Sequence, residues 1–339
     1  MDRSLMSTNK AVMLTGTGKR YDIVSAFAQH TRVIACDPNP LAPAQYAATV
    51  RTAVPLIKDP DYVPALQRLC EEHDVGAIVP LTDLDIDVLA RARADGRLPQ
   101  ALVPDAHIAE QTYDKHACHE LLQAHGLPSP PTVLPGSAEP ESFPVMVKPI
   151  HGSGARNIFV AKDAREAAFF VDYIDEPVML QRLMDGPEFS IDCLSDRDGR
   201  CLNAIPRTML ESRGGESIKG TIIDDAELID LGRRTVEAFG VRGPATVQAF
   251  RDKDVGLGIT DVNTRFGGAF PAPIYAARPG QSYPELIARM ADGERPEPHV
   301  GDFAAGTTFT RYFWQLELDA DLRPTGRDIV SPPGPPAPR

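Results

Sequence analysis

The 339-residue sequence has no run of about 18 apolar residues, so no membrane-spanning helix is expected. Its opening, MDRSLMSTNK, holds neither an apolar core nor a small-residue cleavage pattern, and no signal peptide is read there. Cys36, Cys70, Cys118, Cys193 and Cys201 form no CxxC pair, which argues against a disulfide frame or a zinc site and for a reducing, cytoplasmic setting. No block of Lys and Arg interrupts a chain with 47 acidic and 35 basic residues, so a nucleic-acid partner is not expected. Internal repeats and any Ser-His-Asp or Cys-His arrangement are absent as well. What is present is an ordinary globular composition, 42% hydrophobic and 24% charged, in a chain long enough for two or three domains. At a formal charge of −12, an anionic ligand would need local cations and metal ions.

Along the chain, AVMLT (11–15), a GTGKR turn, a helix over 21–30 and RVIACD (32–37) read as strand, turn, helix, strand. A helix over 61–73, a strand at 76–81 and a helix over 82–93 capped by Thr82 continue the alternation, which predicts a parallel α/β domain ending near residue 108. GTGKR lacks the third glycine of a dinucleotide fingerprint, and a tight turn holding an anion at a helix start explains it better. Beyond 108 the pattern predicts a helix over 113–125, strands around 145–149, 178–184, 189–194 and 201–210, and a helix over 226–240. A hairpin over 245–263, a helix over 282–293 and a strand over 307–314 complete it. The closing SPPGPPAPR has little to bury and is expected to be disordered.

Two stretches carry chemistry. VMVKPIHGSGARNIF (145–159) runs an apolar strand into Lys148 and then into a loop of small residues, a pattern suited to a phosphate. In ITDVNTRFGG (259–268), a strand period of two puts Asp261, Asn263 and Arg265 on one face, and a carboxylate beside an amide oxygen suits Mg²⁺. If the hairpin centres on Lys253–Asp254, Gln248 faces residue 259 and shares that face. Between the two, QRLMDGPEFSID (181–192) turns at Gly186 into Glu188, where backbone groups can read a purine edge and a carboxylate can accept from ribose.

In this order, VKPIHGSG, Gly-x-Glu, VQAF and DVNTRFGG resemble the ATP-grasp superfamily, specifically its carbamoyl-phosphate-synthetase-like branch, over about residues 11 to 315. The resemblance implies an α/β fold, α+β overall: an N-terminal α/β domain (1–108), a small lobe (109–181), a metal-bearing lobe (182–320) and a disordered tail (321–339). It implies ATP and Mg²⁺, or Mn²⁺ in its place, with Lys115 and Lys148 on the phosphates and Gly152, Ser153 and Gly154 closing over them. Gln181 through Met184, including Leu183, would line the adenine slot, Glu188 would bind ribose, and Gln248, Asp261 and Asn263 would hold the metal. Arg265 would hold the substrate carboxylate or acyl phosphate, and Arg213 and Lys219 would reach the γ-phosphate. Asp261 departs from the glutamate usual at that place, which leaves the number of metal ions open.

The implied activity is carboxylate–amine ligation through an acyl phosphate, with small carboxylates and amines, amino acids among them, as substrates and pairing of two copies through the N-terminal domain by analogy. A bicarbonate-using carboxylase or carbamoyl-phosphate-type enzyme, and a nucleotide-binding protein without catalysis, are the alternatives. The acid-rich TDLDID (82–87) offers Asp83 or Asp85 to an ammonium group, or simply enriches a helix start in acids.

Overall fold

Short, wholly apolar runs bounded by Gly, Pro and Asp build a parallel sheet in the first hundred residues. The structure, a computed structural model, describes residues 10–152, 156–213, 216–268 and 270–326. β1 (Ala11–Thr15), β2 (Val33–Cys36), β3 (Val50–Thr52) and β4 (Val75–Pro80) lie side by side in the order β3-β2-β1-β4, all parallel. The connecting helices α1 (Tyr21–Phe27) and α2 (Tyr62–His73), followed by α3 (Ile86–Ala94), leave β1, β2 and β4 buried throughout. The helix expected from residue 82 starts later. Thr82 Oγ1 accepts from the Leu84 amide (3.4 Å), and a tighter turn over Asp83–Asp85 precedes α3.

The helix expected over 113–125 is present, and a further helix that was not expected precedes it. α4 (Ala106–Tyr113) crosses the expected boundary at 108, and α5 (Lys115–Ala124) begins anew after Asp114, whose carboxylate accepts from the His116 and Ala117 amides at 2.8 and 2.9 Å. β5 (Thr132–Val133), β6 (Val145–Pro149), β7 (Phe159–Ala161), α6 (Ala164–Tyr173) and β8 (Val178–Arg182) make the small lobe, an antiparallel sheet in the order β5-β8-β6-β7 with α6 on the core of Val145, Val147 and Ala161.

The large lobe starts with β9 (Glu188–Ser195) and β10 (Cys201–Thr208). The glycine-rich stretch after β10 forms an antiparallel hairpin, β11 (Glu211–Arg213) and β12 (Glu216–Thr221). α7 (Ala226–Ala238), β13 (Gly243–Asp252) and β14 (Gly256–Asn263) follow, and β9, β10, β13 and β14 form an antiparallel sheet ordered β10-β9-β13-β14. The hairpin register differs from the expected one. A bulge beside Gln248 leaves Ala249 opposite Ile259 but sets Gln248 opposite Asp261 rather than residue 259. The one extra residue is absorbed there, and Gln248, Asp261 and Asn263 all border the same cleft.

α8 (Ala272–Tyr275) and α9 (Tyr283–Ala291) bring the chain back to the N-terminal sheet, and β15 (Thr308–Thr310), shorter than expected, extends the β11–β12 hairpin. Of the tail expected to be disordered, residues 321–326 reach the N-terminal domain, where Arg51 donates to the Leu322 carbonyl (2.7 Å); residues 327–339 lie outside the described residues. α9 packs on β1 and β4, so one core joins Val12, Leu14 and Phe27 to Phe266, Tyr283 and Leu286. Gly76 in β4 makes room for this: a Cβ there would press on the Ala291 carbonyl oxygen and lie 2.7 Å from its carbon. Gly76→Ala is therefore expected to cost about 1–3 kcal/mol, read as a lower denaturant midpoint; an unchanged midpoint would contradict direct packing of α9 on β4.

Candidate active site

The small-lobe sheet and the large-lobe sheet face each other across a cleft of about 1220 Å³ that extends to the N-terminal domain. Strand pairing in the large lobe lines up one row across four strands: Arg207 opposite Ser190, Ser190 opposite Gln248, Gln248 opposite Asp261. The next row holds Asp192, Thr246 and Asn263. The period of two thus gathers the polar residues of four strands on the cleft face, while the intervening Ile191, Val247 and Val262 enter the core beneath α7.

Lys148 crosses from the other side. It sits in β6, is 6% exposed, and its ammonium donates to the Thr260 carbonyl (3.4 Å) on β14. Burial pulls it down to about 8, against the attraction of Asp261. Burial also raises the Glu188 carboxyl; Arg207 and Lys148 pull it down, and Asp261 adds to the rise. Glu188 accepts from Gln248 Nε2 (3.3 Å), Asn263 Nδ2 donates to Asp261 (3.2 Å), and Arg265 donates to Asn263 Oδ1 (3.2 Å). Hard oxygens therefore converge at one place, and a divalent cation there would offset the repulsion between Asp261 and Glu188, so the residues fit Mg²⁺. Among the described residues no group of three or more His, Cys, Asp and Glu side chains is placed to hold a metal, so a cation here depends on amide and ligand oxygens.

The residues read from the sequence meet with few exceptions. Lys115 borders the cleft, its ammonium donating to the Gly152 carbonyl (2.6 Å), and Gly152 takes a φ of +103°. Ser153 and Gly154 lie outside the described residues. Gln181, Leu183 and Met184 line the cleft where the two lobes join; Gln181 Nε2 donates to Thr132 Oγ1 (2.9 Å). Arg265 pairs with Asp83 (2.7 Å), a residue of the N-terminal domain. Arg213 is exposed on β11 and is not among the cleft-lining residues, although Ser212 beside it is; Lys219 pairs with Glu211 (2.6 Å). Asp85 faces away from the cleft: it is fully buried, accepts from Tyr62 Oη (2.9 Å), and burial lifts its carboxyl to about 6.

Three contributions were not singled out from the sequence. Ser190 and Asp192 enter the cleft face by strand alternation from Glu188, a signal present in FSIDCL. Arg20 reaches Gly267, its Nη2 donating to the carbonyl (2.8 Å), which makes the GTGKR turn part of the cleft wall. His151 stacks obliquely on Tyr113 at 5.4 Å, beside Lys115.

Residues 12–97 match the PylC-like N-terminal domain, and residues 175–310 match the family described as ATP-grasp in the biosynthetic pathway with Ter operon. The ATP-grasp match thus covers residues 175–310. The chain is 26% identical over 208 residues to the D-alanine–D-alanine ligase of Chromohalobacter salexigens, covering 53% of itself and 64% of that enzyme. It superposes on the L-amino acid ligase from Bacillus licheniformis with TM-score 0.67 and 20% identity, covering 88% of this chain and 78% of that one. Against biotin carboxylase from Campylobacter jejuni the TM-score is 0.69 at 15% identity, with 88% and 74% covered. The chain spans 56% and 64% of the length of the first curated relatives it matches.

Because Lys148 is held near 8 in the free protein, its charge is present below that pH and is lost as pH rises through it. Affinity for MgATP should accordingly be level below about pH 7 and fall by up to about tenfold per unit above about 8, with Lys148→Met removing both the affinity and the slope. A pH-independent affinity in the unmodified protein would contradict the role given to this ammonium.

Proposed function

We propose that this chain is an ATP-dependent carboxylate–amine ligase. The observation that carries the reading is the opposition of buried Lys148, on the small lobe, to Gln248, Asp261 and Asn263 on the large one, across a cleft roomy enough for a nucleotide. Gln181, Leu183 and Met184 would seat the purine and Glu188 the ribose. Lys115, Lys148 and the loop from Gly152 through Ser153 and Gly154 would hold the phosphates. Gln248, Asp261 and Asn263 would hold Mg²⁺, which supplies charge neutralisation at the β- and γ-phosphates.

The chain's own part is positioning. Arg265, fixed by Asp83 and the Phe266 carbonyl, would orient a substrate carboxylate for in-line attack on the γ-phosphorus. The β–γ P–O bond breaks, ADP leaves, and an acyl phosphate forms whose charge Lys148 and Arg265 stabilise. An amine then adds to the acyl carbon, loses a proton, and expels inorganic phosphate to leave an amide. Arg213 is assigned to the γ-phosphate because its hairpin borders the cleft through Ser212 and Ser217. The substrates would be small carboxylates and amines, with amino acids the first to test, and the setting cytoplasmic. Among the described residues no helix is long and apolar enough to cross a membrane.

With ATP, Mg²⁺ and a panel of amino acids, the protein should release ADP and phosphate, and hydroxylamine should intercept an acyl hydroxamate. AMP and pyrophosphate as products would contradict the scheme, and a bicarbonate-dependent product would move the chain to carboxylase chemistry. Asp261→Ala should lower turnover by about two to three orders of magnitude with the circular dichroism spectrum unchanged.

A further inference from the structure

Arg207, on β10, is 2% exposed and heads the fully buried side chains by size, yet it borders the cleft. Its Nε donates to Asp192 Oδ2 (2.7 Å), and Asp192 Oδ1 accepts from Thr246 Oγ1 (3.1 Å), so both oxygens of that carboxylate are engaged. Nη1 is buried without a hydrogen-bond partner. Gly267 lies flat against the pair: a Cβ there would stand 3.3 Å from Arg207 Nη2, 3.3 Å from Asp192 Oδ1 and 2.9 Å from Thr246 Oγ1. Arg20 reaches the same glycine through its carbonyl oxygen. A guanidinium taken out of water with donors unmet is costly unless a ligand meets them, and its fork matches a carboxylate.

The row across the sheet says which carboxylate. Arg207 and Asp261 stand on opposite edge strands, three strand spacings apart, about 14 Å between backbones. The group being phosphorylated belongs at the Asp261 and Asn263 end. We infer that Arg207, held in place by Asp192, binds a second, non-reacting carboxylate of the substrates: the free carboxylate of an amino-acid acceptor, or the distal one of a dicarboxylate donor. The inference rests on the ligase reading for which group reacts, and on the buried guanidinium with its partnerless Nη1 for the site itself.

The test is calorimetric titration of the full chain, with Mg²⁺ and a non-hydrolysable ATP analogue present and again without them, using the standard L-amino acids, their carboxamides and succinate. At least one carboxylate should bind. Arg207→Met should weaken it by about tenfold or more, keep affinity for the ATP analogue within about twofold, and abolish any preference for a carboxylate over its carboxamide. Arg207→Lys should recover part of the loss. Asp192→Asn should weaken binding in the same direction, and adding it to Arg207→Met should cost nothing further, as expected of a positioning residue. The double variant also leaves no stranded buried carboxylate, so it serves if Arg207→Met fails to fold. Binding of an amino acid but not succinate identifies an acceptor carboxylate, and the reverse a donor. Unchanged carboxylate binding in a folded Arg207 variant, or no carboxylate binding to the wild type, overturns the inference. Failure of the wild type to bind the ATP analogue would instead count against the ligase reading, and the titrations without nucleotide would still decide Arg207.

Discussion

A lysine ammonium buried at the inner edge of one lobe is disfavoured by lost hydration and supported by carboxylates of the other lobe. Lys148 loses hydration, gains attraction from Asp261 and Glu188, and still ends near 8. The balance is unfinished in the protein alone: Asp261 adds to the rise of Glu188 while Lys148 offsets it. A ligand that brings several negative oxygens together with a divalent cation completes both sides, giving the anion to the lysine and the cation to the oxygens. An MgATP-shaped ligand is the simplest that does this.

The rest of the molecule holds those two sides apart and in register. Hydrogen bonding in the large-lobe sheet sets Arg207, Ser190, Gln248 and Asp261 abreast, so one strand slip would dismantle the site rather than shift it. The N-terminal domain is not an appendage. Its core is continuous with that of the large lobe through α9, Asp83 pairs with Arg265, and Arg20 fixes the Gly267 carbonyl. The end of the cleft beyond Gln248, Asp261 and Asn263 is thus walled by pairs far apart in sequence, Asp83 and Arg265 by 182 residues and Arg20 and Gly267 by 247. A connection of this kind would serve the proposed ligation, in which water must be kept from a reactive anhydride.

Much of this was legible in the chain. Apolar runs alternating with amphipathic segments announced the parallel sheet, and period-two alternation in ITDVN and VQAF placed the oxygen donors on one face. What could not be read was set by contacts remote in sequence. The expected partner of Gln248 was two residues off. The hairpin centres on Asp254 rather than between Lys253 and Asp254, which moves it by one, and the bulge beside Gln248, which has no local marker, moves it by another. α4 was not read at all, since a domain boundary was expected near 108, whereas α5, capped by the Asp114 side chain, stands where a helix was expected. The 211–221 segment pairs β11 with β12, and β15, from far along the chain, adds a third strand beside β12. Arg207 gave no sign of burial, since its partner Asp192 becomes one only when β9 and β10 align.

Electron paramagnetic resonance of Mn²⁺ bound together with ATP examines the central opposition most directly. The account predicts a tightly held Mn²⁺ whose signal requires ATP, which weakens in Asp261→Ala and in Asn263→Ala, and which persists when the exposed Lys219 is replaced. Tight Mn²⁺ binding that ignores both substitutions, or a signal that does not need the nucleotide, would contradict it.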